Sequence, residues 1–459
     1  MRIVIIGGGV AGLGAAWELV NAGHEVRLYE AGPTLGGQVR TFEVGGGRLE
    51  VFYHHLFRSD TEAIATIEAL GLGPDLEWIE SKVAMVAGGR IYPFVGAADL
   101  LRFTRVSFLT RLRLGLAALW LRRKTDWPSF EGKRARDWIV RWTGREGYEG
   151  VWGPLLRAKF GERADDVSLV WFWGKIHLRF ASRPGGLLAK EQLGYLRGSF
   201  GRLVDALVEA SRARGATLEA GRPVARVVVE DGRAVGVELA PAEGGPAELV
   251  PADAVIATVP SYAFQRLVPD LDPAYNALLE AVEYEWATVL VLTLDRPLSR
   301  HYWLTMTDDD SPFVVAVEQT NFVPPERYGG NHVVYFSNYC PPHDPTVEES
   351  AEQTFERYLP FIRRINPDFD PSWVRERWLF KDRAGQPVVD YRYHERIAPH
   401  RTPIEGLYLA NTTQVYPEDR GQNYSIRMGR RVARLVLASE VEAARHDPSE
   451  APAESAPSP

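Results

Sequence analysis

Three glycines and one acidic residue near the start of the chain have the types and spacing of a site for a phosphate-bearing ligand. An apolar run at residues 3–6 is followed by Gly7, Gly9 and Gly12 in the spacing G-x-G-x-x-G. Gly7 permits a tight turn, Gly9 lets the backbone approach a pyrophosphate, and Gly12 lets a helix pack closely against a strand. Glu30 ends a second apolar run and can accept hydrogen bonds from an adenosine ribose. These residues predict a dinucleotide site.

The elements that must position these residues follow from the order of the pattern. A strand, a glycine turn, a helix, a second strand and an acid occur in that order over residues 3–30. The helix presents unpaired N–H groups and a partial positive charge to the phosphates. We therefore predict an α/β fold with a Rossmann-type domain built on a parallel sheet.

A second glycine pair identifies the dinucleotide. Gly36 and Gly37 are followed by Arg40 and Thr41, an addition that a simple NAD site does not need. The segment resembles the signature of flavoproteins in the amine oxidase, protoporphyrinogen oxidase and phytoene desaturase superfamily. In that superfamily the glycine pair lets the chain pass close to the flavin diphosphate, and the arginine neutralises it. The resemblance implies bound FAD.

The end of the chain carries a second half of the same resemblance. The residues GQNYS at 421–425, with Gly429 after them, resemble the G-N-Y…G element of protoporphyrinogen oxidases. There a helix N-terminus points at the flavin N1 and C2 carbonyl, and exposed N–H groups stabilise the negative charge of reduced flavin. The alternative is a C-terminal helix that is simply capped by Ser425.

The motifs and the resemblance together imply a set of cofactor-binding residues. Cys340, the one cysteine of the chain, lies outside these motifs, so we expect the FAD to be non-covalent. In the superfamily the residue matching Val224 touches the adenine. The expected cofactor-binding residues are Gly7, Gly9, Val10, Ala11, Gly12, Glu30, Ala31, Gly36, Gly37, Gln38, Val39, Arg40, His54, His55, Val224, Thr258, Asn411, Gly421, Asn423, Tyr424 and Ser425.

Length and composition bound the remaining possibilities. The chain has 459 residues and a net charge of −7, which allows two or three domains and gives no reason to expect nucleic acid as a partner. A single cysteine excludes an intrachain disulfide and a cysteine-based zinc site, and no cluster has metal-ligand spacing. The chain begins with a core strand and has no apolar run of membrane-spanning length. We expect a cytoplasmic protein without a bound metal.

The motifs also suggest how the chain divides into domains. We expect residues 1–90, 190–284 and 401–440 to form a discontinuous FAD-binding domain. Residues 91–189 and 285–400 are expected to form a substrate domain with a helical cap and a mixed sheet. The Pro-, Ala-, Ser- and Glu-rich tail at 445–459 is expected to be disordered.

Residues 97–125 predict a pair of helices with an unusual surface. Leucines and aromatic residues recur there at helical spacing, between arginines and one lysine. One interpretation is a helical pair that covers the substrate cavity, with the arginines solvated. The other is a basic amphipathic surface that rests on a bilayer as a peripheral contact at the inner face of a membrane.

A few polar residues are candidates for the chemistry itself. Lys159, in the segment LLRAKFG, could hold a water or take a proton, and His54 or His55 could lie near the flavin. A surface lysine and a loop-capping histidine are the alternatives. Five further polar residues stand in apolar strand contexts and could line the substrate cavity or be satisfied within the sheet: Glu318, Gln319, Asn321, Tyr335 and Tyr339.

The leading hypothesis is an FAD-dependent oxidoreductase that oxidises or desaturates an apolar small molecule of isoprenoid, porphyrinogen or amine type. Hydride transfer to flavin N5 needs a positioned C–H bond and a dry pocket. No second G-x-G-x-x-G follows a strand, so oxygen or a quinone is the expected electron acceptor. The alternative is a non-redox flavoenzyme resembling UDP-galactopyranose mutase, because the loop at residues 53–60 resembles that family's histidine loop. A flavin-binding protein without catalysis is a third hypothesis.

Overall fold

The structure is a computed structural model that describes residues 1–94, 96–181, 191–241 and 245–445. The tail that we expect to be disordered lies outside the described residues, apart from Arg445. Within the described ranges the strands are β1 Arg2–Ile6, β2 Glu25–Glu30, β3 Thr41–Val44, β4 Gly47–Glu50, β5 Leu76–Glu80, β6 Val83–Ala87, β7 Arg90–Pro93, β8 Gln192–Leu196, β9 Thr217–Ala220, β10 Val224–Glu230, β11 Arg233–Leu239, β12 Glu248–Pro251, β13 Ala254–Ala257, β14 Tyr284–Leu294, β15 Trp303–Met306, β16 Val315–Glu318, β17 His332–Cys340, β18 Val374–Pro387 and β19 Leu407–Leu409.

Twelve α-helices lie within the described residues. They are α1 Val10–Asn21, α2 Thr61–Ala69, α3 Ala97–Arg102, α4 Phe108–Arg123, α5 Ala135–Gly147, α6 Gly153–Phe160, α7 Leu169–Ala181, α8 Gly201–Arg212, α9 Ser261–Leu267, α10 Pro273–Glu280, α11 Ala351–Ile365 and α12 Gln422–Arg445.

A parallel sheet holds the glycine motif at its centre. Its strand order is β19-β13-β1-β2-β9, and Ile5 in β1 pairs with Ile256 on one side and Leu28 on the other. All four pairings are parallel, and β1 to β2 is connected through α1. The predicted fold class, α/β with a Rossmann-type sheet, is confirmed.

A second, mixed sheet of seven strands has the order β18-β14-β17-β16-β15-β6-β7. Within this sheet β14 and β17 pair antiparallel. This sheet also contains β6 and β7, at residues 83–93, because β6 pairs in parallel with β15. The chain therefore enters the mixed sheet before the expected boundary at residue 90. Every residue of β6 is buried, so its hydrophobicity does not indicate which sheet it joins.

Helices α3 to α7 form a layer beside the mixed sheet. The helical pair predicted at residues 97–125 is present as α3 and α4. Beneath α4 the rings of Trp120, Trp138 and Trp142 pack together, with centroids 5.1–5.8 Å apart. Among the described residues, no helix is both long and apolar enough to cross a membrane.

Two local features of this architecture follow from the residue types at their positions. Asp231 and Gly232 have φ values of 47° and 77°, as a two-residue hairpin turn requires, and they join β10 to β11. Ser168 caps α7, because its hydroxyl accepts a hydrogen bond from the N–H of Val170 at 3.1 Å.

Candidate functional site

The glycine loop after β1 forms a bare backbone surface at the carboxyl end of the parallel sheet. Gly7 has φ of 107°, a left-handed conformation that favours glycine. A Cβ on Gly12 would lie 2.1 Å from the carbonyl oxygen of Gly7, so only glycine lets α1 start this close to the strand. No side chain caps the first turn of α1, whose N–H groups have no partner within the helix.

The second glycine pair lies directly against the first loop. The N–H of Gly36 donates to the carbonyl of Gly8 at 2.8 Å, and a Cβ on Gly37 would lie 2.9 Å from the Cα of Gly9. Among the described residues other than its two chain neighbours, the only atom within 4 Å of a Cβ built on Gly9 is the Cα of Gly37, at 3.8 Å. The two motifs therefore form one continuous backbone cradle.

The carboxylate of Glu30 holds this cradle in shape. Its Oε2 accepts the N–H of Gly8 and its Oε1 accepts the N–H of Gly32, both at 2.7 Å. A carboxylate has about four lone-pair positions, so each oxygen retains capacity for a ribose hydroxyl. Arg40 donates to the carbonyl of Gly37 at 3.0 Å, and its guanidinium lies 5.7 Å from the centre of the Phe52 ring.

Helix α12 brings the C-terminal motif to the same place. A Cβ on Gly429 would lie 2.0 Å from the carbonyl oxygen of Ala11, so α12 and α1 cross in close contact. Gly14 faces Ile426 across the same interface. Because α12 begins at Gln422, Ser425 lies inside its first turn, and the alternative of a Ser425 cap is wrong.

An unpartnered amide marks the start of α12. The Gln422 side chain is only 5% exposed, and neither its amide nitrogen nor its amide oxygen has a hydrogen-bond partner within the described residues. Buried amides are normally bonded, because an unbonded one costs about 1–3 kcal/mol. A bare glycine cradle, an uncapped helix start and an unpartnered amide fit a bound dinucleotide with a polar ring edge. The residues present therefore fit FAD.

The remaining expected cofactor residues fall into two groups. Some are used within the protein: Thr258 donates to the Gly7 carbonyl at 3.0 Å, Asn411 accepts from Thr413, and Asn423 accepts the N–H of Ala63 at 3.0 Å. Such side chains leave mainly their backbone groups for a ligand. The others differ in exposure: Val10, Ala11, Val39 and Tyr424 are buried, Gln38, Val224, Gly421 and Ser425 are partly exposed, and Ala31 is exposed.

Lys159 lies in a largely buried ionic cluster centred on Asp419. Its ammonium is 2.6 Å from Asp419 Oδ2, and Lys175 is 2.5 Å from the same oxygen. Asp419 Oδ1 accepts hydrogen bonds from the Trp171 indole at 3.1 Å and the Gln386 amide at 3.3 Å. We refer to these five residues as the Asp419 cluster. Helices α6 and α7, strand β18 and the loop before α12 each contribute to it.

Burial and charge set the protonation of this cluster. Burial lowers the pKa of Lys159, Asp419 opposes this effect, and Lys175 and Arg420 add to it, so that the net pKa is about 7. Burial alone would raise the pKa of Asp419, but the two ammonium groups hold it well below its ordinary value. Burial therefore favours the neutral amine of Lys159, the form that can accept a proton or hold a water.

Arg420 connects this cluster to the glycine motif. Its guanidinium donates to the Gln38 side chain at 3.2 Å, the Gln386 side chain at 3.1 Å and the Tyr339 hydroxyl at 3.0 Å. Two of these acceptors are side-chain amides and the third is a hydroxyl. None of the three bonds therefore places a carboxylate against the Arg420 guanidinium. Because Gln38 follows Gly37, the network joins the cradle to Lys159.

The two histidines have different surroundings. His54 Nδ1 lies 2.6 Å from the carbonyl of Phe52, and because a carbonyl only accepts, Nδ1 carries the hydrogen and Nε2 is free to accept. Burial, opposed by the bond to Phe52 and aided by Arg420, lowers the pKa of His54 to about 4, so His54 is neutral. His55 Nδ1 is 3.0 Å from the Tyr302 hydroxyl, and its ring packs against Phe57.

Most of the other polar candidates are satisfied within the sheet. The Glu318 carboxylate accepts the backbone N–H groups of Leu298 and Ser299 at 2.9 and 2.7 Å. Asn321 donates to the carbonyl of His301 at 2.9 Å. The Tyr335 hydroxyl donates to the Glu50 carbonyl at 2.7 Å, and the Gln319 side-chain amide donates to the Tyr328 hydroxyl at 3.4 Å. Of this set, only Tyr339 reaches the site, through Arg420.

Sequence reasoning missed four residues of the site: Lys175, Asp419, Arg420 and Gln422. The last three stand directly before or at the start of α12, so their position beside a motif was an available signal. Lys175 carried none, because it lies outside the motifs and a lysine on a helix is ordinarily a solvated surface residue. Among the described residues, no group of three His, Cys, Asp or Glu side chains is arranged to hold a metal.

Comparison with known proteins agrees with these features. The model of the family described as flavin containing amine oxidoreductase matches residues 10–437. A protein of Synechococcus elongatus named as a probable ζ-carotene desaturase is 25% identical over 503 residues, covering 97% of this chain and all of that protein. A ζ-carotene desaturase of Synechocystis is 23% identical over 493 residues, covering 96% of this chain and 98% of that protein.

Solved structures share the fold. The crystal structure of reduced UDP-galactopyranose mutase superposes with a TM-score of 0.73 at 18% identity, covering 95% of this chain and 96% of that one. At this identity the likeness concerns the fold alone.

Proposed function

This chain belongs to the flavin-containing amine oxidoreductase family and is an FAD-dependent oxidoreductase, and we propose that it desaturates a long apolar polyene. The full-length match to two ζ-carotene desaturases carries the choice of substrate class. Bound FAD supplies the two-electron acceptor for a hydride removed from the substrate. The residues of the glycine cradle, together with Glu30, Arg40 and the start of α12, are the proposed FAD site.

The residues around Lys159 support an apolar substrate. The Lys159 ammonium lies 5.1 Å from the Trp171 ring centre and 5.5 Å from that of Tyr339. Beside this aromatic surface, Tyr53 packs on Trp303 with ring centres 5.2 Å apart. Aromatic side chains of this kind offer area for a flat, conjugated chain.

Lys159 is our candidate for the group that takes the substrate proton. Desaturation removes a hydride from one carbon and a proton from the next, so a base is required beside the reacting carbons. A lysine amine with its pKa near 7 meets this requirement at neutral pH. His54, with its pKa near 4, is a weaker base and is proposed to hold the adjoining loop through Phe52.

A direct experiment compares three substrates under anaerobic conditions. We expect ζ-carotene in detergent micelles to bleach the flavin absorbance, and its own spectrum to shift to longer wavelength as conjugation extends. Putrescine represents the amine class of substrate, and UDP-galactopyranose represents the sugar-nucleotide substrate of a mutase. Bleaching by putrescine alone would contradict the proposal. Readmitting oxygen or adding a quinone then tests our proposal that one of these is the electron acceptor.

The mutase alternative is less supported than desaturation. It rests on the loop at residues 53–60, and the structural likeness to UDP-galactopyranose mutase at 18% identity concerns the fold only. The desaturase and mutase hypotheses differ in one measurable respect, because a mutase returns the flavin to its starting state without consuming an electron acceptor. Turnover of a sugar nucleotide with no net acceptor consumption would favour it.

We also propose that the outer surface of α3 and α4 rests on a membrane. Seven large apolar side chains are conspicuously exposed among the described residues, and five of them lie here: Leu101, Phe108, Leu109, Leu112 and Leu116, at 41–64% exposure. We call these five the α4 patch. Arg102 and Arg123 are exposed beside it. Apolar side chains rimmed by arginines complement an anionic lipid surface.

The position of the α4 patch suits delivery of a membrane-soluble substrate. The opposite side of α4 is buried through Leu114, Ala117 and Leu121 and faces Phe172 and Ile176 of α7 across a small apolar cavity. Helix α7 carries Trp171 and Lys175 of the Asp419 cluster. One layer of helix therefore separates the patch from the helix that supplies the proposed site.

A further inference from the structure

The Asp419 cluster runs from the interior to the surface of the protein. The side chain of Lys159 is 17% exposed and that of Asp419 is 11% exposed, whereas the side chain of Lys175 is 44% exposed. Both ammonium groups contact the same carboxylate oxygen. A proton on Lys159 therefore needs only one bridging oxygen to reach a lysine that touches solvent.

The charges around Lys159 favour passage of a proton in the outward direction. Helix α7 brings Lys175, the loop before α12 brings Asp419 and Arg420, and β17 brings the neutral Tyr339 ring. One carboxylate thus faces three cationic side chains. Because charge is least well solvated at the buried position, burial favours loss of the proton from the Lys159 amine.

We propose that Lys159, Asp419 and Lys175 form a proton exit path, with Lys175 as its outer end. The path rests on the proposed function, because desaturation releases one proton per double bond inside the protein. After hydride removal, the neighbouring C–H bond breaks and its electron pair becomes the new C=C bond. The proton forms an N–H bond on neutral Lys159.

The path then returns to its starting state without a net change in its residues. Lys175 releases a proton to water, Asp419 passes a proton from Lys159 to the vacated Lys175 amine, and Lys159 is neutral again. Asp419 and Lys175 act through Lys159 and are positioning residues. The amide and indole bonds from Gln386 and Trp171 to Oδ1 keep Oδ2 directed at the two lysines.

The substitution Lys175→Arg distinguishes a Lys175 that carries protons from a Lys175 that only supplies a positive charge. Arginine retains the positive charge but does not release a proton at working pH. We expect the variant to retain its FAD and to turn over about tenfold or more slowly, with partial rescue by a small added amine. Lys175→Met removes the charge as well and should raise the pKa of Lys159. Lys133→Arg, an exposed lysine bonded to Ser129, is the matched control.

A second measurement does not depend on turnover. The FAD-loaded protein is labelled with acetic anhydride across a pH series, and mass spectrometry reports the modified fraction at Lys159. We expect half-maximal labelling near pH 7 in the wild type, unchanged by Lys175→Arg and shifted upward by Lys175→Met. Labelling of Lys159 only at the pH of ordinary lysines would overturn the path, as would full activity in Lys175→Arg. Failure of a polyene to reduce the FAD in the wild type counts against the substrate class alone.

Discussion

At the scale of single residues, Glu30 is the acid on which the cradle depends. Its two oxygens accept the N–H groups of Gly8 and Gly32. Glu30→Gln replaces one acceptor by a donor facing an N–H group, and we expect FAD to bind about 1–3 kcal/mol more weakly. Arg40→Ala should also weaken binding, because a cation beside the diphosphate is lost.

The measurement for this prediction is FAD affinity by fluorescence titration of the apoprotein. Glu25→Gln is the control, since Glu25 is an exposed residue of the same strand that pairs with Arg27. Equal FAD affinity in Glu30→Gln, Arg40→Ala and Glu25→Gln would show that neither assigned residue contacts or shapes the site.

A second residue-scale prediction concerns Glu50, which is 1% exposed. Its carboxyl accepts bonds from the Tyr195 hydroxyl at 2.8 Å and the Phe200 N–H at 2.6 Å, yet burial raises its pKa from 4.5 to about 7. Because the folded state holds this proton more tightly, the associated stability is present below about pH 4.5 and is lost as pH rises to about 7. Glu50→Gln stays neutral and should keep that stability.

The stability difference between Glu50→Gln and the wild type should therefore grow between pH 5 and pH 8, by up to about 3 kcal/mol. The glutamine oxygen can accept from Phe200, and its amide can donate to the Tyr195 hydroxyl. Urea unfolding at several pH values measures the difference, with the exposed Glu43→Gln as control. A difference that is constant with pH would contradict the assigned pKa.

At the scale of elements, the contact of α1 with α12 assembles the two halves of the FAD site. A Cβ at position 429 would meet the Ala11 carbonyl at 2.0 Å, whereas one at position 14 would meet Ile426 at an ordinary 3.5 Å. Gly429→Ala should therefore displace α12, cost about 1–3 kcal/mol of stability and weaken FAD binding. Gly14→Ala is the matched control on the same interface.

Thermal unfolding and retained FAD per chain are the two readouts of the α1–α12 prediction. Loss of both in Gly429→Ala, with both kept in Gly14→Ala, is the expected pattern. If Gly429→Ala retained full FAD and stability, the close helix crossing would not be what holds the start of α12 at the cradle.

At the scale of the whole molecule, the α4 patch should determine where the protein works. We expect the protein to co-sediment with vesicles that contain anionic lipid. We also expect release at about 1 M salt, because the Debye length there is about 3 Å and the attraction between arginines and lipid headgroups is screened. Leu109→Ser with Leu116→Ser should weaken binding about tenfold or more, because two exposed leucines no longer enter the lipid. FAD content should stay unchanged.

Leu249→Ser is the control for vesicle binding, because Leu249 is 60% exposed but lies on β12, away from the patch. Arg102→Gln with Arg123→Gln tests the charge component. Arg105 and Arg113 are less suitable, since Arg105 lies 3.7 Å from Asp308 and Arg113 donates to the Trp142 carbonyl at 2.9 Å. Absence of wild-type vesicle binding would mean that α3 and α4 only cover the interior.

The amino-acid sequence by itself determined the features that depend on neighbouring residues. The glycine spacing, the turn at Asp231–Gly232 and the helices over residues 97–125 are local, because backbone conformation and helical periodicity are set within a few residues. The family and its cofactor also followed from motifs, since a phosphate cradle is built from consecutive backbone groups.

Only the tertiary structure decided what surrounds the reactive groups. Lys159 and Asp419 are 260 residues apart in the chain, and their ion pair exists because α6 packs beside the loop that precedes α12. Glu318 was as plausible a candidate as Lys159 in the sequence, but its carboxylate accepts hydrogen bonds from backbone N–H groups within the protein. A side chain's pKa and its free bonding capacity depend on burial and long-range neighbours, which periodicity and spacing do not encode.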